Sequence, residues 1–297
     1  MADDKTYLAY VNGSYVDRDH AVVSAFDRGL LYGDGIFETM RSYEGAIFRL
    51  HEHMERLSAS AAELRLPLPV PAREIARIAN DLITRNGLLN AYVRVTLTRG
   101  QHTGSLVLDT DQLATLVIDC RPVVPYPAEW YERGIALGIA KPRRGRSLIA
   151  PRHKSLSYME NLLILDDARG AGMQEALVLT DDGCVCECAT ANVFWSYERH
   201  ICTPATDTNL LNGVTRATVI ELCRRIGLDV TEAQFTIEQL YAADEAFITN
   251  SIMEVMPVRE VGGRGMKQCP GEMTAELIKE YSREVERCAA RFRTDRS

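Results

Sequence analysis

Several things are scarce or missing in this chain, and each absence narrows what it can be. No apolar run among its 297 residues comes near the roughly 20 that a membrane span requires. The opening residues, MADDKTYLAY, are acidic and carry no hydrophobic signal core, so export is not expected and a cytoplasmic location is. Net positive charge is absent: 34 Lys and Arg stand against 41 Asp and Glu, a formal net charge of -7, which argues against a nucleic-acid partner. Lysine is rare, with five (Lys5, Lys141, Lys154, Lys267, Lys279) among the 34 basic residues, and only Lys154 sits between predicted core elements. Internal repeats and low-complexity segments are also missing. What remains, 46% hydrophobic and 25% charged, is the composition of a globular protein long enough for two domains, each with its own core.

Eight cysteines without an export signal read as reduced thiols. Cys184, Cys186 and Cys188 alternate along a predicted strand and invite a metal reading. Three ligands from one flat strand converge poorly on a tetrahedral ion, so they are read as small core-facing residues and no metal is expected.

The stretch from Pro151 to Trp195 carries the chemistry. Lys154 is placed at the start of an amphipathic helix whose apolar residues are Leu156, Met159, Leu162, Leu163, Leu165 and Ala168, stopping at Gly170. Ala176 to Thr180 is predicted as a buried strand, Asp182-Gly183 as a hairpin turn, and one returning strand carries Glu187 and ends at Trp195. A lysine and a strand carboxylate can serve one aldehyde cofactor: the amine forms a Schiff base and the carboxylate holds a pyridinium nitrogen.

Ahead of that stretch, Tyr7 to Val16 reads as a hairpin about Asn12-Gly13. Gly33 and Gly35 permit close backbone approach before a strand over Ile36 to Tyr43. Helices follow from Leu50 and over Ala72 to Asn86. Arg56 lies among the apolar positions of the first, and its ordinary reading is a salt bridge with Glu52 or Glu55. Strands come next at Ala91 to Thr98 and Leu113 to Cys120, joined by the polar loop RGQHTGSLVLDTD. Tyr92, Arg94, Thr96 and Thr98 share one face of the first, either solvent or a polar cavity. Arg121 to Pro127, with three prolines in seven residues, is the linker candidate. The division expected is an N-terminal α+β domain over 1–120, a linker over 121–130 and a C-terminal domain over 131–297. Beyond the linker, Gly134 to Ala140 is a strand and KPRRGRSLIAPRH a solvated basic loop. Later, a helix starting at Gly213 or Val214 exposes backbone N–H groups and a hydroxyl, a ready phosphate site. Thr236 to Gln239 fits a capping box, and a last helix spans Gly271 to Arg291.

Eight blocks, in order, then resemble one family: DRGLLYGDGIFETMR, FRLHEHMERL, AYVRVTLTRG, HKSLSYMEN, GCVCECATANVFW, LLNGVTR, YAADEAFITNS and MPVREVGG. The chain resembles the class IV (fold-type IV) aminotransferases. These use pyridoxal 5'-phosphate and include branched-chain aminotransferases, D-amino acid transaminases and aminodeoxychorismate lyase. The resemblance implies an α+β two-domain enzyme of the D-amino acid aminotransferase-like fold, with a C-terminal pseudo-barrel, the cofactor held in a cleft, and a homodimer or larger assembly whose partner residues complete the substrate pocket. It implies that Lys154 is the Schiff-base lysine and proton shuttle, a task for which its amine must lie below the usual value of about 10.4. Glu187 falls at the carboxylate on the pyridine nitrogen. Arg56, Val214, Thr215 and Ser251 fall at the phosphate, Tyr158 near the phenolic oxygen, and Leu211 against the ring.

For the substrate, Tyr32, Phe37, Tyr92, Arg94 and Ile252 match the branched-chain pocket, where the arginine receives a second carboxylate such as that of glutamate. L-branched-chain amino acids and 2-oxoglutarate are therefore the substrates implied. Thr39 stands where that pattern has glycine, and Val95 where it has proline. The D-amino acid branch's Arg-x-His trap is missing from HTGSLVL. The lyase shares GDGIFET and the EALVLTDDGCVCECATANVFW block, though its branch usually lacks a tyrosine four residues after the lysine. It stays the rival, with an (R)-amine transaminase behind it. A binder of the cofactor without turnover has no need of Lys154, Glu187 and Arg56 together.

Overall fold

The computed structural model describes residues 6–101, 104, 106–108, 113–145 and 152–294. The polar loop after Arg99, and the basic loop before Lys154, lie partly outside these. The chain forms two compact units: Met1–Val124 with His153–Ser157 and Val285–Ser297, and Pro125–Arg152 with Tyr158–Glu284. The short segment bearing Lys154 thus groups with the first unit.

The first unit is built on a six-stranded sheet. Its elements are β1 (Leu8–Val11), β2 (Ser14–Asp17), α1 (Arg28–Tyr32), β3 (Gly35–Tyr43), β4 (Ala46–Ile47), α2 (Leu50–Glu63), α3 (Ala72–Asn86), β5 (Ala91–Thr98) and β6 (Thr115–Pro122). The strand order is β2-β1-β6-β5-β3-β4. Strand β5 shows why one face is core: Ala91, Val93, Val95 and Leu97 are fully buried among α2 and α3 residues such as Leu57, Ile78 and Leu82. Each valine or leucine so placed contributes about 1.5–3 kcal/mol. Tyr92, Arg94 and Thr96 alternate to the other face and are half-buried, as their spacing predicts. In register, Phe37 lies opposite Thr96, Thr39 opposite Arg94, and Arg94 opposite Asp119.

Two glycines set the entry to β3. Gly33 ends α1 at φ +66, and Gly35 runs so close to β5 that a Cβ would lie 2.5 Å from the Leu97 carbonyl oxygen. Asp27 caps α1 by accepting the Gly29 N–H at 2.7 Å, and also accepts hydrogen bonds from the hydroxyls of Thr98 and Thr115.

The second unit carries a nine-stranded mixed sheet. Its elements are α4 (Ala128–Arg133), β7 (Ile135–Arg144), α5 (Met159–Gly170), β8 (Glu175–Thr180), β9 (Val185–Cys188), β10 (Asn192–Tyr197), β11 (His200–Pro204), α6 (Val214–Arg225), β12 (Asp229–Ala233), α7 (Ile237–Ala242), β13 (Glu245–Asn250), β14 (Glu254–Val261) and β15 (Arg264–Gly265); helix α8 (Glu272–Thr294) follows. The order is β12-β11-β10-β13-β14-β7-β8-β9, with β15 beside β14. Pairs β14–β7, β7–β8 and β11–β12 are parallel and the rest antiparallel. Trp195, Phe235, Met256 and Val258 pack in its core.

The structure corrects four expectations. Lys154 does not start a helix: it lies in a turn, and α5 begins five residues later at Met159. The returning strand is two strands, β9 and β10, broken by a turn at residues 189–191. The apolar stripe expected to bury α5 is largely outside. Met159, Leu162 and Leu163 are 68%, 53% and 59% exposed, while Ile164 and Ala168 face the core. The helix carries two apolar stripes, and periodicity alone does not say which one the fold buries. Finally, β7 continues through the basic run to Arg144, which is buried rather than solvated. The capping box at Thr236 and Gln239 is present as expected.

Candidate active site

In the first unit, Lys154 is fixed by its backbone. Its carbonyl accepts the Phe37 N–H at 2.8 Å, the Leu156 N–H donates to the Gly35 carbonyl at 2.9 Å, and Ser155 bridges to Ile36. The segment therefore runs as an added edge along the start of β3. His153, beside it, shares a hydrogen bond with the Ser60 hydroxyl at 3.1 Å and an ion-pair contact with Glu63 at 3.5 Å. The Lys154 Nζ stands 4.6 Å from the Phe37 ring centroid, and the Arg94 Cζ 3.8 Å from the same centroid. Arg94 also donates from Nε to the Thr96 hydroxyl at 3.2 Å. Lys154, Phe37 and Arg94 are thus brought together, with Thr39 directly across from Arg94. Tyr92 has Arg121 over its ring at 4.5 Å, and Tyr32 is exposed at the end of α1.

Arg56 is engaged by Glu38 on β3. Its Nε and Nη2 donate to the two oxygens of Glu38, at 2.8 and 2.6 Å. His53, also on α2, donates from Nδ1 to Glu38 Oε2 at 2.8 Å. Burial alone would raise the Glu38 carboxyl. The Arg56 charge and the hydrogen bonds from His53 and Arg56 outweigh it and hold the carboxyl at about 2, against an ordinary 4.5. Burial pushes His53 down, so the ring is neutral and gives its one Nδ1 proton to the carboxylate.

In the second unit, Glu187 on β9 is 7% exposed. Its Oε2 accepts the Leu211 backbone N–H at 3.1 Å and lies 3.5 Å from the Asn192 amide, which also donates to the Leu211 carbonyl at 2.9 Å. Its Oε1 is 3.7 Å from Nη2 of buried Arg144, whose Nη1 is 3.7 Å from Glu160. Val214 and Thr215 open α6 and are buried. Ahead of them, a Cβ on Gly213 would come 2.2 Å from Asn192 Oδ1, so bare backbone here is what lets Asn192 hold Glu187. Ser251 and Ile252 lie in the turn after β13, where Asn250 accepts the Ile252 and Met253 N–H groups at 2.9 and 2.7 Å.

The turn after β9 ties several elements of this unit together. The Ala189 carbonyl accepts Tyr158 Oη at 3.3 Å and Asn161 Nδ2 at 2.6 Å, and the Thr190 carbonyl accepts Asn250 Nδ2 at 3.2 Å. Glu175, fully buried, accepts both the backbone N–H and the hydroxyl of Thr190, and burial pushes its carboxyl up. Of the three alternating cysteines, Cys186 and Cys188 are buried and Cys184 is half-buried. Burial pushes the Cys188 thiol well up. No cluster suited to a metal occurs among the described residues.

Within the first unit an amine (Lys154) and a cation (Arg56), and within the second a buried carboxylate (Glu187) and a helix start with bare glycine backbone, are each of a kind that a pyridine aldehyde bearing a phosphate requires. Glu38 and His53 hold Arg56 in the first unit, and Arg144 and Asn192 flank Glu187 in the second; the sequence alone assigns none of the four a role, although Glu38, His53 and Asn192 lie within the blocks that resemble the family. A glutamate in a predicted strand is the signal that could have flagged Glu38.

Comparison with known proteins fits this geometry. The sequence model of the family Amino-transferase class IV matches residues 35–261. A putative branched-chain-amino-acid aminotransferase of Methanocaldococcus jannaschii is 38% identical over 275 residues, covering 92% of this chain and 94% of the relative. The aminodeoxychorismate lyase of Bacillus subtilis is 35% identical over 280 residues, covering 94% of each. Among solved structures, a branched-chain aminotransferase of the archaeon Thermoproteus uzoniensis with norvaline superposes with a TM-score of 0.88 at 30% identity, covering 95% of each chain. The chain belongs to the class IV aminotransferases, enzymes whose cofactor is pyridoxal 5'-phosphate. Its mixed architecture, with the curled nine-stranded sheet as half-barrel, is the fold of that family.

Proposed function

We propose that this enzyme moves the amino group of L-branched-chain amino acids to 2-oxoglutarate. The observation that carries the reading is the grouping of Lys154 and Arg94 about one ring, Phe37, on a polar sheet face. Pyridoxal phosphate, when bound, supplies an electron sink for the bond broken at the substrate's alpha carbon. Lys154 holds the cofactor and carries the proton to and from that carbon. Glu187 keeps the proton on the pyridine nitrogen. Arg56, with the start of α6 at Val214 and Thr215 and with Ser251, receives the phosphate; Tyr158 and Leu211 border the ring. Arg94 receives the distal carboxylate of glutamate, since its planar fork meets a carboxylate on two bonds at once. The apolar surface of Phe37, with Tyr32, Tyr92, Thr39 and Ile252, suits a branched side chain.

Arg94→Ala is expected to slow the half-reaction with glutamate by roughly ten- to a hundredfold, about 1.5–3 kcal/mol for a lost charge-assisted contact. Leucine and valine should be affected far less. Single-turnover kinetics with each donor measures this, and equal losses would move Arg94 to the shared alpha-carboxylate. One observation favours a second reading. Thr39, opposite Arg94, puts a hydroxyl where the branched-chain pattern has glycine, and the lyase of B. subtilis is nearly as similar as the aminotransferase relative. Pyruvate release from aminodeoxychorismate, with no turnover of any L-branched donor, would give the assignment to the lyase.

The working unit we propose is a homodimer in the cytoplasm. All eight cysteines are free thiols, as a reducing compartment keeps them. Phe26 and Leu30 on one unit, and Met159, Leu162 and Leu163 on the other, expose large apolar side chains in clusters. Leu162→Asp should lower the mass measured by light scattering from dimer to monomer at micromolar protein. A variant that stays dimeric removes the α5 stripe from the interface.

A further inference from the structure

Glu38 sits behind a cation that the proposed function assigns to an anion. It is 1% exposed, and both of its oxygens are bound to the same guanidinium, through Nε and Nη2, with His53 holding Oε2 from the side. A carboxylate so placed has two opposite consequences for a phosphate arriving at Arg56. By charge alone it repels the phosphate and weakens binding. By geometry it strengthens binding, because an arginine side chain otherwise loses rotamer freedom when it is immobilised on its ligand.

We propose that Glu38, braced by His53, is the positioning residue of the phosphate site, locking the Arg56 fork in one plane and place for the cofactor phosphate. The inference rests on the reading of Arg56 as the phosphate residue. Three features make geometry outweigh charge. First, the contact is side-on and bidentate, which fixes the guanidinium plane as well as its position. Second, the carboxylate is itself immobilised: it lies on β3, between Phe37 and Thr39, and two side chains of α2 three residues apart grip it. Third, His53 is neutral, so the group of Glu38, Arg56 and His53 carries no net charge, and desolvating it costs far less than burying Arg56 alone. The charged neighbours facing Glu38 are Arg56 on α2 and, beyond His53, Lys154 on its loop.

The test compares binding of pyridoxamine 5'-phosphate and of pyridoxamine to the apoenzyme by fluorescence titration. Neither ligand can condense with Lys154, so no chemistry enters the readout. The ratio of their dissociation constants isolates the phosphate. Glu38→Gln removes the charge and keeps the shape. Glu38→Asp keeps the charge but withdraws the carboxylate by one methylene, out of reach of a two-bond contact. Positioning predicts that both variants lose about tenfold or more of the phosphate preference, equivalent to about 1.4 kcal/mol, while pyridoxamine binds as before. A tighter phosphate form in Glu38→Gln, with Glu38→Asp like the wild type, would show that charge repulsion governs and would overturn the proposal. Equal weakening of both ligands would make Glu38 a merely structural residue and overturn it as well. Arg56→Gln separates this inference from the reading beneath it. If Arg56→Gln leaves the phosphate preference intact, the assignment of Arg56 itself fails. If Arg56→Gln abolishes the preference and Glu38→Gln does not touch it, only the positioning role fails. In the Arg56→Gln background, adding Glu38→Gln should change the preference no further.

Discussion

The Lys154→Ala protein is expected to be colourless and inactive. The wild type should carry a visible absorbance band from cofactor joined to the Lys154 amine, and alanine has nothing to join. Loss of the proton carrier alone accounts for about 10²–10⁴-fold in rate, the range for a positioned acid–base group. We expect the upper end, about 5 kcal/mol of barrier, because this structure leaves little slack for a substitute. The Lys154 carbonyl and the Leu156 N–H are locked to β3, and His153 is tied to α2, so a neighbouring side chain cannot swing into the position. Both bonds to β3 are backbone bonds and survive the substitution, so the variant should fold and keep its melting temperature. Absorbance with and without added pyridoxal phosphate, alongside single-turnover transamination, checks this. Wild-type turnover by the alanine variant would mean that another amine does the work.

How far the site is legible in the sequence depends on the range of the interactions that make it. Alternation within one strand puts Arg94 and Tyr92 on a non-core face, and the structure agrees because a strand's faces are a local property. Glu38 escapes notice for the opposite reason. Its partners lie 15 and 18 residues away on a helix, and a strand pattern does not say which helix packs on it. Arg144 is hidden in a basic run that reads as solvated; its burial beside Glu187 depends on the pairing of β7 with β8, strands separated in sequence by the whole of α5. The break between β9 and β10 has a similar origin, since the buried Glu175 carboxylate that captures Thr190 belongs to a preceding strand. On α5 both stripes are legible as apolar, but which of them is core is decided by β7 and β8 rather than by the helix.

Glu187→Gln is expected to cost the enzyme on the order of 100-fold or more in rate, at least about 2.7 kcal/mol of barrier, with the cofactor still bound. The amide keeps the size of the carboxylate, and its oxygen can still accept the Leu211 N–H that Oε2 accepts now. What it removes is the negative charge that, in the role proposed for Glu187, would hold a proton on the pyridine nitrogen, and with it the electron demand that would loosen the substrate's alpha C–H bond. A second consequence follows from Arg144. That guanidinium is buried, and it has carboxylate oxygens of Glu187 (Oε1) and Glu160 (Oε2) beside it, both at 3.7 Å. In the glutamine variant the more enclosed of these two counter-charges is gone, and on the proposed reading of Glu187 the buried Arg144 cation would disfavour a proton on the ring nitrogen still further. The double variant Glu187→Gln with Arg144→Gln should therefore recover part of the lost rate, about a few-fold, although it removes a second charged group. Phosphate-dependent affinity, read with pyridoxamine 5'-phosphate, should stay within a few-fold of wild type in both proteins. Unchanged kinetics in Glu187→Gln would mean that a different group faces the ring nitrogen. A double variant slower than the single one would leave the electronic role of Glu187 standing and assign Arg144 to holding the β7 end in place.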